Sequence, residues 1–207
     1  MRQFIPIVAL IAGTSYFWAV HALPPGVALT AWKGAGVGLL ALWAALSGAR
    51  GIALVLALGA LGDVLIDAVG LIGGAIAFLA GHLVAIWFYR RHPRAALSTS
   101  QGALVRFVLT LVPLTAYHLP ADRGLAWGVA LYALGLSSMA ASAWASAFPR
   151  YWVGLGAMAF VASDLLLFAR LGPLAGSPVP DWGVWPLYFA GQAMIAWGVV
   201  RKVGRAV

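Results

Sequence analysis

Hydrophobic residues fall along this chain in eight long runs, separated by short breaks of turn residues and charge. The runs cover residues 4–22, 27–46, 51–68, 73–90, 103–119, 124–146, 151–169 and 182–200. A helix that crosses the hydrocarbon core needs about 20 residues, at about 1.5 Å of rise each. Each run is long enough to serve. The first break is Pro24-Pro25-Gly26, the second Ser47-Gly48-Ala49-Arg50 and the third Gly70, all turn chemistry. The longest connections join Arg90 to Gly102 and Arg170 to Asp181. The pattern predicts an all-α, polytopic membrane bundle of eight transmembrane helices. Residues 1–207 form a single integral membrane domain in this reading, with no linker or low-complexity tract.

Composition makes the membrane reading firmer. Hydrophobic residues make up 63% of the chain and charged residues 9%, against about 25% charged in an ordinary soluble domain. Such a chain cannot cover a water-facing surface; lipid is the solvent that suits its outward faces. No cysteine is present, which excludes disulfides, thiol nucleophiles and cysteine metal sites. The net charge of +8 does not indicate nucleic acid, because the basic residues stand singly or in small groups between apolar runs.

Those residues instead report orientation. With the N-terminus inside, Arg2, Arg50, Arg90, Arg91, Arg94, Arg106, Arg150, Arg201, Lys202 and Arg205 lie inside or at the inner boundary. Arg123 and Arg170 lie outside, and Lys33 falls within a run. A ten-to-two bias places both termini in the cytoplasm by the positive-inside rule. The expected location is the cell membrane. Arg2, the first run and Val20-His21-Ala22 also carry the elements of a cleavable leader. The charge pattern does not require cleavage, so the run is read as the first span.

The fourth and eighth runs are alike. Residues 78–87 (FLAGHLVAIW) align without a gap on 188–197 (YFAGQAMIAW), and both runs then end in basic pairs. The third and seventh share Gly62-Asp63-Val64-Leu65-Ile66 and Ser163-Asp164-Leu165-Leu166-Leu167. Matching spans run in the same direction, which points to two parallel four-helix halves, residues 1–101 and 102–207. That relation sets Asp63 against Asp164, and His82 against Gln192.

All five acidic residues are Asp, and Asp63, Asp67 and Asp164 lie inside runs, as do Lys33 and His82. A charge at mid-bilayer costs about 2.5–3.5 kcal/mol on insertion scales, so such residues normally face the interior and mark a working site. Counted from the outer ends of their runs, Asp63, Asp164, Lys33, His82, Tyr188 and Gln192 all fall about 8–15 Å deep. Asp63 and Asp67 are four apart, hence on one helix face. Blander roles exist for some of them. Asp67 suits the interface, Lys33 can snorkel, His82 can be a packing histidine, and Tyr188 lies where aromatic belts occur. A short carboxylate cannot snorkel far, which singles out Asp63 and Asp164.

Burial disfavours a charged carboxyl, and a nearby cation favours it. One Asp can therefore hold a proton while the other stays ionised, the division that acid/base catalysis with water needs. No Gly-Xaa-Ser-Xaa-Gly elbow is present. There is no Glu for His-Glu-Xaa-Xaa-His, and no P-loop. A metal site from Asp63, Asp67, His82 and Asp164 is conceivable, but its spacing is specific to no metal.

Three motifs carry a family resemblance: Gly62-Asp63-Val64-Leu65, then Phe78-Leu79-Ala80-Gly81-His82-Leu83, then residues 156–166 (GAMAFVASDLL). Lys33 in the second run, Tyr132 and Met139 in the sixth, and Gln192 in the last complete the pattern. In their order and spacing these resemble the YhhN-like lysoplasmalogenase family, over nearly the whole chain. One departure is Gly34 after Lys33, where the family usually has Pro. The resemblance implies a multi-spanning hydrolase that cleaves the vinyl-ether bond of lysoplasmalogens, releasing a fatty aldehyde and a glycerophospho-base. It implies no cofactor and no metal. The expected partners are a lysophospholipid substrate and the surrounding lipid. Asp63 and Asp164 are the expected catalytic pair. Lys33 and His82 would tune their protonation or hold the phosphate; Asp67, Tyr132, Tyr188 and Gln192 are further candidates for substrate binding. A proton-coupled transporter built on the same Asp, Lys and His is the rival reading. A lipid-binding protein without catalysis is the third.

Overall fold

The computed structural model describes residues 3–204. Arg2 and Arg205 of the charge count lie outside the described residues. Eight α-helices follow one another: α1 (Ile5–Ala22), α2 (Val27–Leu46), α3 (Arg50–Val69), α4 (Leu71–Arg90), α5 (Thr99–His118), α6 (Ala126–Ala145), α7 (Leu155–Ala169) and α8 (Val179–Val203). A 3-10 turn, Arg123–Leu125, leads into α6, and a single π turn, Arg150–Gly154, leads into α7. Seven segments are long and apolar enough to cross a membrane, which makes this a multi-pass membrane protein. The segment outside that set is α5, which has the length but carries Gln101, Arg106 and Pro113.

The breaks have local causes. Gly70 alone separates α3 from α4, at φ 97° and ψ 175°, a conformation only glycine adopts without strain. A capping box starts α5: Ser98 Oγ accepts from the Gln101 amide, and the Gln101 side chain accepts from the Ser98 amide. The sequence pattern had this helix starting at 103; the cap sets it four residues earlier. Pro180 sits in the first turn of α8, where its missing N–H costs nothing, so α8 also begins before the apolar run does.

Neighbours in sequence pack as hairpins: α1 on α2, α2 on α3, α3 on α4, α5 on α6 and α7 on α8. The main contacts between these hairpins are α4 with α6, α2 with α8 and α6 with α7. The innermost helix is α8, which touches α1, α2, α3 and α7. Close approach depends on small residues, as is usual between helices in lipid. A Cβ on Gly156 would stand 2.7 Å from the Gly191 carbonyl, and one on Gly191 2.6 Å from the Gly156 carbonyl. The α7–α8 crossing therefore requires glycine on both sides. Outward faces remain apolar: Ile11, Trp18, Ile72, Leu83, Trp127 and Leu131 are all more than half exposed. That suits hydrocarbon and not water.

The two ends of the bundle differ. At one end the α4–α5 and α6–α7 connections join, with Arg94 N–H donating to Ala145 O and Ala147 N–H to His92 O. Lys202 Nζ, at the end of α8, donates to Ala147 O there. We call this the basic end, since Arg90, Arg91, Arg94, Arg150, Arg201 and Lys202 gather at it. At the opposite end Ala121 N–H donates to Leu171 O, and Arg170 pairs with Asp181 at 2.5 Å.

Candidate active site

Helices α3, α4, α6, α7 and α8 each bring a polar side chain into the half of the bundle nearer that opposite end. Asp63 lies on α3, His82 on α4, Tyr132 on α6, Asp164 on α7, and Tyr188 and Gln192 on α8. Asp63, His82, Asp164, Tyr188 and Gln192 are all buried, none more than 6% exposed. A buried polar group is tolerable only when hydrogen-bonded, and these groups resolve into two sets.

The first set surrounds Asp63. Tyr188 Oη donates to Asp63 Oδ2 at 2.8 Å. Gln192, one helical turn along α8 from Tyr188, lies against the same stretch of α3. Gly59 admits both: a Cβ there would stand 3.3 Å from Gln192 Nε2 and 3.4 Å from Tyr188 Oη. The second set surrounds Asp164. Tyr132 Oη donates to Asp164 Oδ2 at 2.8 Å, and His82 Nε2 lies 3.2 Å from Tyr132 Oη. Aromatic rings join the sets. Phe160 packs edge-on against both His82 and Tyr188, with centroids 5.3 and 5.0 Å away, and Phe78 packs against both Tyr188 and Phe160.

Lys33 and Asp67 make a third group, nearer the helix ends. Lys33 Nζ donates to Asp67 Oδ1 at 2.8 Å, and Thr30 Oγ1 donates to Asp67 Oδ2 at 3.3 Å. Their side chains are 13% and 31% exposed, so this pair meets the surface while Asp63, one turn deeper, does not. The lysine's hydrogen-bond partner is thus Asp67. Among the described residues no three His, Asp or Glu side chains come together as a possible metal cluster. Asp67 turns to Lys33 and Asp164 to Tyr132, so the conceivable four-residue metal set is not assembled.

Beside the second set lies a cavity of ≈ 350 Å³ between the α3–α4 hairpin and helices α6 and α7. Its polar side chains are Asp164 and Tyr132; the rest are apolar, among them Ile66, Ile76, Phe78, Leu79 and Phe168. The volume lies within the about 300–1,000 Å³ usual for ligand sites. Ile72, Ile76 and Leu131 on its rim are 74%, 66% and 64% exposed. The cavity therefore opens sideways, through the apolar outer face. Phe78 stands between it and the other carboxyl, because the same ring lines the cavity and packs on the tyrosine that holds Asp63.

A model of the YhhN family matches residues 28–199.

The chain belongs to the YhhN family.

No curated protein and no solved structure matches it. Every site residue of this YhhN-family chain falls inside the matched stretch, and so does Gly34. The missing proline is accommodated without a break, since α2 continues through Gly34 to Leu46. Gly34 also packs close to α3, where a Cβ would stand 2.6 Å from Val64 Cγ2.

Gly59, Phe78 and Phe160 had not been singled out as site residues. For Phe78 and Phe160 a signal existed, since both lie in the motifs that carry the family resemblance. Nothing in the sequence distinguishes Gly59 from the other glycines of α3.

The second set forms a chemical relay. A tyrosine hydroxyl carries one proton and can accept others. When Tyr132 donates to an ionised Asp164, its oxygen is free to accept from His82 Nε2–H. A proton added at His82 would leave Asp164 as a carboxylic acid once both protons shift along the chain. The geometry thus suits delivery of a proton to Asp164, at the end of the relay that touches the cavity.

Proposed function

We propose that this protein is a membrane hydrolase that cleaves the vinyl-ether bond of lysoplasmalogens to a fatty aldehyde and a glycerophospho-base. The observation that carries this reading is the apolar cavity, open on the lipid side, whose polar side chains are Asp164 and Tyr132. A single hydrocarbon chain can enter it sideways from the bilayer and bring its head-proximal bond to the carboxyl.

The chemistry follows from the bond. Protonating the alkene carbon β to oxygen gives an oxocarbenium ion; water adds to the α carbon; the hemiacetal collapses to aldehyde and free glycerol hydroxyl. One water is consumed, and the catalyst's proton returns. We assign the proton donor to Asp164, which lines the cavity and can be reloaded through Tyr132 and His82. Asp63, held by Tyr188 and outside the cavity lining, is the second carboxylate, whose negative charge favours the cation from behind Phe78. A positioned proton transfer contributes about 10²–10⁴-fold. Lys33 and Asp67 lie nearer the boundary, where the lysine suits the substrate's phosphate and the aspartate holds it in place.

In this reading α5 is the eighth span and both termini are cytoplasmic in the cell membrane, as the charge bias requires. The site then lies in the outer half of the bilayer. The halves 1–101 and 102–207 are related as parallel repeats, which is supported by the packing of α2 on α8 as α6 packs on α4.

The test is detergent-purified protein supplied with lysoplasmalogen and with the matching ester and saturated-ether lysolipids, followed for free aldehyde and free fatty acid. Aldehyde from the vinyl ether alone is expected. A transporter needs two compartments and yields no product in detergent; absence of aldehyde with intact protein overturns the hydrolase reading.

A further inference from the structure

At the basic end, away from the carboxylates, a second cavity of ≈ 570 Å³ lies between the α6–α7 connection and the end of α8. Four cationic side chains line it: Arg94, Arg150, Arg201 and Lys202. Among the described residues no carboxylate does; the five Asp of the chain, at 63, 67, 122, 164 and 181, are all elsewhere. Two of the cations are fixed by main-chain carbonyls of one loop, Arg94 Nη2 to Phe148 O at 2.9 Å and Lys202 Nζ to Ala147 O at 2.5 Å.

The guanidinium groups of Arg94 and Arg150 are only partly satisfied. Arg150 Nε and Nη2 and Arg94 Nε are buried without a hydrogen-bond partner. Buried donors on a charged group are costly to leave unmade. Arg150 is also the first residue of the π turn, a distortion that is rare and often sits at functional sites. The positive-inside rule accounts for basic residues near this boundary. It does not account for four of them converging on one cavity with guanidinium nitrogens buried and unpaired.

We propose that this cavity binds a phosphate group, presented by the headgroup of an anionic phospholipid or by soluble phosphate. Planar guanidinium groups match phosphate oxygens through paired, charge-assisted hydrogen bonds. Tyr151 and Trp152 on its rim are 74% and 44% exposed, the kind of aromatic pair that an interfacial belt places at headgroup depth. Basic pockets at the ends of helices are known places for anionic headgroups. The inference does not depend on the hydrolase reading, because it shares no residue with the carboxylate site.

Thermal unfolding of the full-length protein in neutral detergent tests it. Short-chain phosphatidylglycerol, short-chain phosphatidylcholine and sodium phosphate are added separately, each against sodium chloride at matched ionic strength. Phosphatidylglycerol, or phosphate itself, should raise Tm by about 5 °C at saturating concentration. The double variant Arg94→Gln/Arg150→Gln should lose that shift, whereas Arg90→Gln/Arg91→Gln, with the same loss of charge at the same end, should keep it. If Arg94→Gln/Arg150→Gln does not fold, the exposed pair Arg201→Gln/Lys202→Gln replaces it, with apparent affinity expected to fall at least about tenfold. A shift from lipid alone identifies a headgroup site; an equal shift from sodium phosphate identifies a soluble ligand. No shift in the native protein, an equal shift from phosphatidylcholine and sodium chloride, or a shift that the site variants retain would overturn the proposal.

Discussion

Asp63 and Asp164 occupy like positions, late in α3 and late in α7, yet their surroundings differ. Each carboxyl accepts from one tyrosine at 2.8 Å, but Tyr188 reaches Asp63 from α8, whereas Tyr132 reaches Asp164 from α6, the helix just before it. Behind Tyr188 lies packed protein. Behind Tyr132 lies His82, and in front of it the apolar cavity. The seventh residue of α2 is Lys33 and the seventh of α6 is Tyr132. Both reach toward the following helix, but the lysine takes Asp67 and the tyrosine takes Asp164. Two similar frames therefore hold a closed carboxylate and an open one. The open one lines the cavity, and the closed one is kept from it by packed aromatic side chains.

Removing each carboxyl in turn is the strongest attack on this comparison. Asp164→Asn should lower aldehyde release by about 10³–10⁴-fold, the upper part of the range for a positioned acid. Asp63→Asn should cost less, about 10²–10³-fold, because in the proposed mechanism it acts on the cation by its charge and not by proton transfer. Initial rates in detergent with matched protein amounts decide it. A larger loss at Asp63 would exchange the two roles, and near-normal turnover in both variants would remove them.

A substitution in the cavity separates substrate binding from proton transfer. Gly128 lines the cavity, and a Cβ there meets nothing within 4 Å. Gly128→Trp should therefore fold and fill the space. Displacing about four methylenes at ~0.8 kcal/mol each forfeits ~3 kcal/mol, about 100-fold in kcat/KM for a long-chain substrate. A short-chain analogue should lose little. Equal losses for both chain lengths would mean that the chain binds elsewhere.

How much of this was legible beforehand depends on what the sequence encodes. Helix existence was, because a run of apolar residues in lipid has no alternative to the helix, and the breaks at Pro24-Pro25-Gly26 and Gly70 fell where expected. Starts were less so: the Ser98/Gln101 box and Pro180 extend α5 and α8 past their apolar runs. The π turn at Arg150 left no signal. Asp63, Asp164, His82 and Gln192 were legible from the cost of a polar group inside a span, and all four are buried. Their partners were not. Depth follows from counting along a helix, but rotation about its axis comes from packing. Lys33 and Asp63 have similar depths, yet the lysine hydrogen-bonds Asp67. Tyr188 suited an aromatic belt and is instead buried on Asp63.

The two tyrosines give a smaller test of the same contrast. Tyr132→Phe breaks the relay and leaves His82 Nε2 without this partner; Tyr188→Phe removes one donor from Asp63. An unpaired buried group costs ~1–3 kcal/mol, so either variant should lose some stability. Activity should separate them: about 30-fold lost for Tyr132→Phe and about tenfold for Tyr188→Phe, measured as kcat. If Tyr132 serves only to position Asp164, the two losses will be equal.

The smallest expected effect belongs to Gly59, and it probes the closed carboxylate alone. Replacing a helical glycine by alanine gains up to about 1 kcal/mol in helix propensity. Here the new methyl would press on Gln192 Nε2 at 3.3 Å and on Tyr188 Oη at 3.4 Å. Both are ends of side chains that can yield by a few tenths of an ångström, so the gain and the strain should nearly cancel in stability. Activity has no such compensation, because the groups that yield are the donor to Asp63 and the glutamine beside it. Gly59→Ala should leave Tm within about 3 °C of the native protein and lower kcat about threefold, ~0.7 kcal/mol. Gly38→Ala, where the nearest atom to a new Cβ is Ala60 Cβ at 3.9 Å, has the propensity gain without the strain and should raise Tm by about 2–4 °C with kcat unchanged. Combining Gly59→Ala with Asp63→Asn decides the route. Contacting residues are expected to couple, so the threefold loss should vanish once the carboxylate has gone and persist in full beside Asp164→Asn. Persistence in both backgrounds would mean that Gly59 acts on the bundle as a whole and not through Asp63.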